Sequence, residues 1–218
     1  MTASSNSPSV QDIWNDFYLA NPSLAALQRD IDDATQLLMD AFNSGGQTLV
    51  CGNGGSAADS EHIAGELAKP CALARPLSAQ QREALQQVGD DGYLGEHLQE
   101  GLPVLPLVSQ AALLTAIAND QGGDLIFAQQ VVAYGRAGDV VWGLSTSGNS
   151  KNVVLALRTA KAFGMRTLGF TGPNGGAMSE LCDVVVRLPG ESTPTIQHAH
   201  QLTYHAICLA IEADKYTP

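Results

Sequence analysis

The sequence predicts a doubly wound α/β domain: a mainly parallel five-stranded sheet flanked by helices, with an N-terminal helical arm. Three observations predict it. Five short apolar runs, at residues 48–51, 104–108, 140–144, 167–170 and 184–188, lack the polar alternation of a half-exposed strand, which implies a sheet covered on both faces. Each run ends in a small-residue turn and is followed by helical spacing, the rhythm of β-α units. Ahead of the first run stands an amphipathic segment with no strand character.

Residues 1–9 are small and polar, lack the basic start and apolar stretch of a signal peptide, and are expected to form a disordered tail. A short helix follows over residues 10–20 and breaks at Pro22. A longer one covers residues 23–42, with Leu24, Leu27, Ile31, Leu38 and Phe42 near helical spacing, and stops at Ser44-Gly45-Gly46. Between and after the strands, helices are expected over residues 57–68, 110–118, 125–134, 152–163 and 196–213. Residues 71–102 do not keep this rhythm. They hold Pro76, a polar helix-like run over 78–88 and then Gly89, Gly92 and Gly101, and read as a helical insert of the length that usually serves function. Residues 10–218 are thus expected to form a single domain, with N-terminal helices over 10–43 and an insert over 71–102.

The chain carries a net charge of −11 over 218 residues, with no run of Lys and Arg to offset it. That excludes binding led by a nucleic-acid backbone. A phosphate site here has to work with oriented amides, hydroxyls and helix N-termini. The four cysteines form no C-x-x-C, and Cys51, Cys182 and Cys208 lie in or beside apolar stretches, as expected of reduced, buried thiols in a cytoplasmic protein. No apolar run approaches the roughly 20 residues needed to cross a bilayer, so no membrane partner is expected.

Four groups of residues could carry chemistry. The first is Cys51-Gly52-Asn53-Gly54-Gly55-Ser56, where a strand runs into a glycine-rich turn and a helix opens. Free amides and the positive end of a helix would face an anion there. The turn lacks the spacing of a dinucleotide fingerprint or of a Walker loop; an N-capped junction with no ligand reads the same way. The second is Ser145-Thr146-Ser147-Gly148-Asn149-Ser150, again between strand and helix. Four hydroxyls exceed what a cap requires and suit the oxygens of a phosphate monoester. Two such turns at neighbouring strand ends would line one crevice.

The third group is His62 with Glu66, four apart and therefore on one helix face. Such a pair can share a divalent metal, act as acid and base, or simply form a salt bridge. The fourth is the last helix, with His198, His200 and His205 within eight residues. One is read as a ligand or catalyst, with His198 and His200 read as surface residues.

Together these segments resemble the sugar isomerase (SIS) domain family, and within it the sedoheptulose 7-phosphate (phosphoheptose) isomerases. The motifs that carry the resemblance are Cys-Gly-Asn-Gly-Gly-Ser from Cys51, His62-x-x-x-Glu66, Ala118-Asn119-Asp120, Ser-Thr-Ser-Gly-Asn-Ser from Ser145, Gln197 and His205. It covers nearly the whole chain from Pro22 onward, apart from residues 71–102. It implies that Asn53, Gly54, Gly55, Ser56, Glu66, Asn119, Asp120, Ser145, Thr146, Ser147, Ser150 and Gln197 line a sugar-phosphate site. It further implies that His62, Glu66, Gln197 and His205 surround one zinc ion per subunit, that Glu66 and His205 are the acid and base, and that the assembly is a homotetramer with sites between subunits. The implied reaction converts sedoheptulose 7-phosphate to D-glycero-D-manno-heptose 7-phosphate.

Those residue types suit the chemistry. Interconverting a ketose and an aldose takes a proton from one carbon and returns it to the next through an enediol(ate), which needs a base and a second group for the hydroxyl proton. An imidazole titrates near neutrality, whereas a glutamate approaches it only through burial. On a straight helix Gln197 and His205 stand about 12 Å apart along the axis. Either the chain is not yet helical at Gln197, as nearby Pro194 permits, or two subunits complete the site. The alternatives are an isomerase for another sugar phosphate and a non-catalytic SIS binding protein resembling the replication-initiator-associating protein. The Glu66 and His205 pair argues for the enzyme.

Overall fold

A computed structural model describes residues 8–216. The expected tail over residues 1–9 lies outside the described residues except at its end, where Ser9 is ordered as the N-cap of α1 (Val10–Ala20). Its hydroxyl accepts from the Asp12 amide while the Asp12 carboxylate accepts from the Ser9 amide, a reciprocal capping box that starts the helix. Trp14 and Phe17 are the buried residues of α1. The helix expected over 23–42 divides in two: Pro22 opens a 3-10 segment to Leu27, and α2 runs over Gln28–Asn43. Its buried face is Ile31, Ala34, Thr35, Leu37, Leu38, Ala41 and Phe42.

The strands are β1 (Thr48–Gly52), β2 (Val104–Pro106), β3 (Val140–Ser145), β4 (Arg166–Thr171) and β5 (Val184–Arg187). They form one sheet in the order β2-β1-β3-β4-β5, and every pair is parallel. β2 stops short of the expected 104–108 because it reaches Pro106, which offers no N–H to a ladder. All five residues of β1 and all six of β3 are buried, so their unbroken apolar character reports helices on both faces.

The helices that follow are α3 (Gly55–Ala68), α4 (Ala79–Gln87), α5 (Tyr93–His97), α6 (Ala111–Asp120), α7 (Ala128–Tyr134), α8 (Lys151–Ala162), α9 (Met178–Leu181) and α10 (Thr193–Tyr216). Alternate strand residues feed two cores. Val50, Trp142, Leu168 and Phe170 pack with residues of α1, α2, α3 and α10 on one face. Leu49, Cys51 and Val141 pack with Phe127, Val131, Val153 and Leu157 of α7, α8 and their flanks on the other. Full burial of each large aliphatic side chain is worth roughly 1.5–3 kcal/mol, and the two cores hold the carboxyl ends of β1 and β3 side by side.

Residues 71–102 carry α4 and α5, which pack on each other, and close with an isolated bridge between Pro76 and Gln99. Among the cysteines, Cys51 and Cys208 are buried and free, whereas Cys182 is only partly covered, because it follows α9 and lies beside β5 at the edge of the sheet. No helix among the described residues is long and apolar enough to cross a membrane.

Candidate active site

Two glycine-bearing loops stand at the carboxyl ends of β1 and β3. In the first, Gly54 adopts φ +57°, a left-handed conformation that frees the turn between β1 and α3. Ser56 is buried at the start of α3, and its amide donates to the Asn53 carbonyl. In the second, Ser145 Oγ lies 2.9 Å from Ser150 Oγ and 3.4 Å from Ser147 Oγ. Thr146 is partly buried in the same turn. Neither α3 nor α8 has a side-chain cap, so first-turn amides of two helices remain for an anion. Asn152, on the first turn of α8, joins the loops: it exchanges two amide hydrogen bonds with Asn53, of 2.8 and 2.9 Å.

The third and fourth sequence groups meet. α3 and α10 pack together in the same direction, with Gly55 against Gln197 at one end and His62 against Tyr204 and His205 further along. His62 Nε2 lies 3.2 Å from Glu66 Oε1 and 3.2 Å from His205 Nε2. His62 is 41% and Glu66 17% exposed at the side chain, so the group is half sheltered and open to a ligand.

The protonation pattern follows from the partners. His205 Nδ1 lies 2.8 Å from the Gln201 carbonyl and must donate to it, which leaves Nε2 as a lone pair. Two imidazole nitrogens and a carboxylate then converge, and when His62 holds its proton on Nδ1 nothing among them donates. The donor atoms of His62, Glu66 and His205 all lie within 4.8 Å of one another. Ligands on a tetrahedral zinc stand about 3.3 Å apart, given bonds of ~2.0–2.1 Å. The two 3.2 Å spacings match that edge, so these three residues fit a divalent metal with an open fourth position.

Glu66 is not lifted toward neutrality. Burial does raise its pKa, but a Cys71 thiol hydrogen bond, Lys69, His62 and His205 together outweigh it, and the carboxyl sits below its ordinary value. Glu66 is therefore an ionised acceptor. Reciprocally, burial and the Glu66 carboxylate push the Cys71 thiol up to about 12.

Gln197 stands apart from the cluster within the chain. α10 is helical from Thr193, with Pro194 accommodated in its first turn, which removes the non-helical alternative. The Gln197 amide lies on Gly55, where an added Cβ would come within 2.5 Å of its Nε2. Asn119 and Asp120 end α6 on the exposed surface, bonded to each other at 2.7 Å; among the described residues no hydrogen bond ties them to either loop.

His198 is exposed, as expected, but His200 is not a surface residue. It is fully buried, and its Nε2 lies 3.2 Å from the Thr171 carbonyl at the end of β4. It spends its donor on a strand end, and burial drives its pKa down to about 4.

Two further groups went unread in the sequence. Arg75 and Glu212 form a fully buried ion pair of 2.8 Å. Glu212 also accepts from the amides of Cys71, Ala72 and Leu73, and Arg75 donates to the carbonyls of Glu66 and Leu67. The pair thereby fixes the end of α3 that presents Glu66. Asp59 and Tyr204 contact each other and Tyr204 also contacts His62. The residues involved are 145 and 142 positions apart, beyond any local signal.

The family model described as the SIS domain matches residues 20–89 and 96–172. Most of the segment over 71–102 therefore falls within the family pattern. The phosphoheptose isomerase of Burkholderia pseudomallei (strain K96243) is 41% identical over 194 residues, covering 89% of this chain and 85% of that one. Phosphoheptose isomerase 2 of Campylobacter jejuni is 39% identical over 186 residues, covering 85% of this chain and 81% of that one. Among solved structures, phosphoheptose isomerase GmhA from Neisseria gonorrhoeae superposes with a TM-score of 0.72 at 32% identity, over 94% of this chain and 97% of that one.

Proposed function

Because the chain belongs to the SIS domain family, alongside the phosphoheptose isomerases, we propose that it converts sedoheptulose 7-phosphate to D-glycero-D-manno-heptose 7-phosphate. The coarser statement stands on the family: the protein is a phosphosugar isomerase. The observation that supports the chemistry is the convergence of His62 and Glu66, on the helix that begins at the first glycine-rich loop, with His205 of α10; the heptose rests on the named relatives.

In this reading the Ser145–Ser150 loop and the open helix N-termini hold the phosphate without lysines, as the acidic chain requires. Asn53, Gly54, Gly55 and Ser56 line the sugar, with Asn119 and Asp120 as further contacts. Glu66, ionised, takes the proton from C1 of the ketose and returns it to C2. His205 Nε2, a lone pair at the outset, takes the proton from O1 and passes it to O2, so the enediol(ate) closes to the aldose with no net proton change. A zinc ion held by His62, Glu66 and His205 would supply positive charge to the oxygen on which charge develops.

Gln197 of the same chain sits about 12 Å along α10 from His205, which supports the proposal that subunits share sites in a homotetramer. A groove of about 440 Å³ beside His205, lined by Ile13, Phe17, Leu202 and Leu209, offers an apolar face to a second copy. We place the protein in the cytoplasm with no nucleic-acid or membrane partner. The test of the substrate is competition: sedoheptulose 7-phosphate presented with pentose and hexose phosphates, product followed by NMR. A preference for a shorter sugar would replace the heptose assignment and leave the reaction class.

A further inference from the structure

Asp59, Tyr204 and His62 form a chain of contacts that the proton transfers above leave unused. Asp59 precedes His62 by three residues on α3, and Tyr204 precedes His205 on α10. The Tyr204 side chain is fully buried, with its Oη 3.0 Å from His62 Nδ1 and 3.3 Å from Asp59 Oδ1. The other Asp59 oxygen is buried with no partner among the described residues, so the phenol is the polar contact this carboxylate has.

Burial raises the Asp59 pKa against the opposing pull of the Tyr204 hydrogen bond, His62 and His205; once ionised the carboxylate only accepts, and a phenol carries one proton. The Tyr204 proton therefore goes to Asp59, and the phenol oxygen accepts from His62 Nδ1–H. The reverse, with the phenol donating to His62, would set its lone pairs against those of Asp59. Fixing the proton on Nδ1 leaves His62 Nε2 bare on the side where Glu66 and His205 stand. Without the relay, His62 would gain by moving its proton to Nε2 and donating to Glu66, which closes the cluster to a cation.

We propose that Asp59 and Tyr204 are positioning residues that hold His62 in its Nδ1–H tautomer and so set the affinity of the cluster for a divalent metal. This rests on the metal-binding reading of the cluster, in which partners behind a ligating histidine tune it by 10–100-fold.

The test uses metal-free protein labelled with ¹⁵N-histidine, read by long-range ¹H–¹⁵N correlation at pH 8, with His62→Asn to assign the signal. Wild type is expected to show His62 protonated at Nδ1. In Tyr204→Phe the signal should move toward the Nε2–H tautomer, and zinc affinity in a chelator competition should fall 10–100-fold. Asp59→Asn should invert the relay, because its amide donates to the phenol oxygen and the phenol then donates to His62. His205, held by the Gln201 carbonyl, should keep its tautomer in all three proteins and reports an intact helix.

An Nε2–H tautomer in wild type, or one tautomer and one zinc affinity across all three proteins, would overturn the proposal. If Tyr204→Phe does not fold, Asp59→Asn alone decides. The tautomer needs neither metal nor sugar, so a protein that fails to turn over sugar phosphate bears on the proposed function and not on this relay.

Discussion

Asn53 and Asn152 exchange two amide hydrogen bonds, of 2.8 and 2.9 Å, and thereby lock the loop after β1 to the helix that follows β3. Residues 99 positions apart in the chain thus hold two strand-to-helix turns together, which the proposed function reads as one anion cradle. Asn152→Ala should raise KM for the sugar phosphate about five- to tenfold, the loss of one or two modest hydrogen bonds, with a smaller change in kcat. Steady-state kinetics over a range of sugar phosphate decides it; an unchanged KM would show that the loops stay aligned without the pair.

Gly148 tests the second loop by stability. It has φ +64°, and an added Cβ would run into the Gly175 carbonyl oxygen. The left-handed conformation alone costs a non-glycine residue about 1–2 kcal/mol, and the contact adds to it. Gly148→Ala should lower Tm by about 5 °C or more for a domain of this size, read by calorimetry. A Tm within a degree of wild type would mean the loop re-forms around the methyl group.

The buried pair of Arg75 and Glu212 predicts a larger loss. Glu212→Gln leaves the fully buried Arg75 guanidinium charged but without its counter-charge, at a cost of about 3–5 kcal/mol. Urea unfolding should show an earlier midpoint at unchanged slope. A loss below about 1 kcal/mol would mean that water enters and re-solvates Arg75.

His200 gives the chain a pH dependence of known sign. Its folded pKa of about 4 lies below the 6.5 of an unperturbed imidazole. The unfolded chain therefore binds this proton first as pH falls, and stability is lost between those two values. Each pH unit is worth about 1.4 kcal/mol, so the whole window amounts to roughly 3 kcal/mol. Above pH 6.5 the contribution is constant. Comparing wild type with His200→Leu at pH 7 and pH 4.5 isolates it: the wild type should lose more on acidification. Equal losses would place the His200 pKa near its ordinary value.

What the sequence showed and what it hid divide along the range of the interaction. Both loops, and the His62 and Glu66 pair, are local patterns, readable because a turn and a helical spacing of four are short-range geometry. The strands were readable because burial on both faces leaves β1 and β3 without polar alternation. That His205 would join His62 was legible through the family resemblance alone, and that His200 would turn inward to Thr171 depended on which face of α10 meets the sheet. That face is not marked in a helix that buries residues all round. Arg75 carries no local signal of its role, since its partner lies 137 positions away. The Glu66 carboxyl sits below its ordinary value because Cys71, Lys69, His62 and His205, none of them readable as its neighbours from a local pattern except His62, outweigh its burial.

The central claim is that the cluster of His62, Glu66 and His205 transfers the proton in a phosphoheptose isomerase. Its most direct test incubates zinc-supplied wild type, Glu66→Gln and His205→Gln with sedoheptulose 7-phosphate in deuterium oxide and follows aldoheptose 7-phosphate by NMR. Wild type should form the aldose, with deuterium at C2 to the extent that the Glu66 carboxyl exchanges with solvent before it returns the proton, and each variant should slow by about 10²–10⁴-fold while remaining folded. A wild type that forms no aldose, or a Glu66→Gln variant that keeps the wild-type rate, would contradict it.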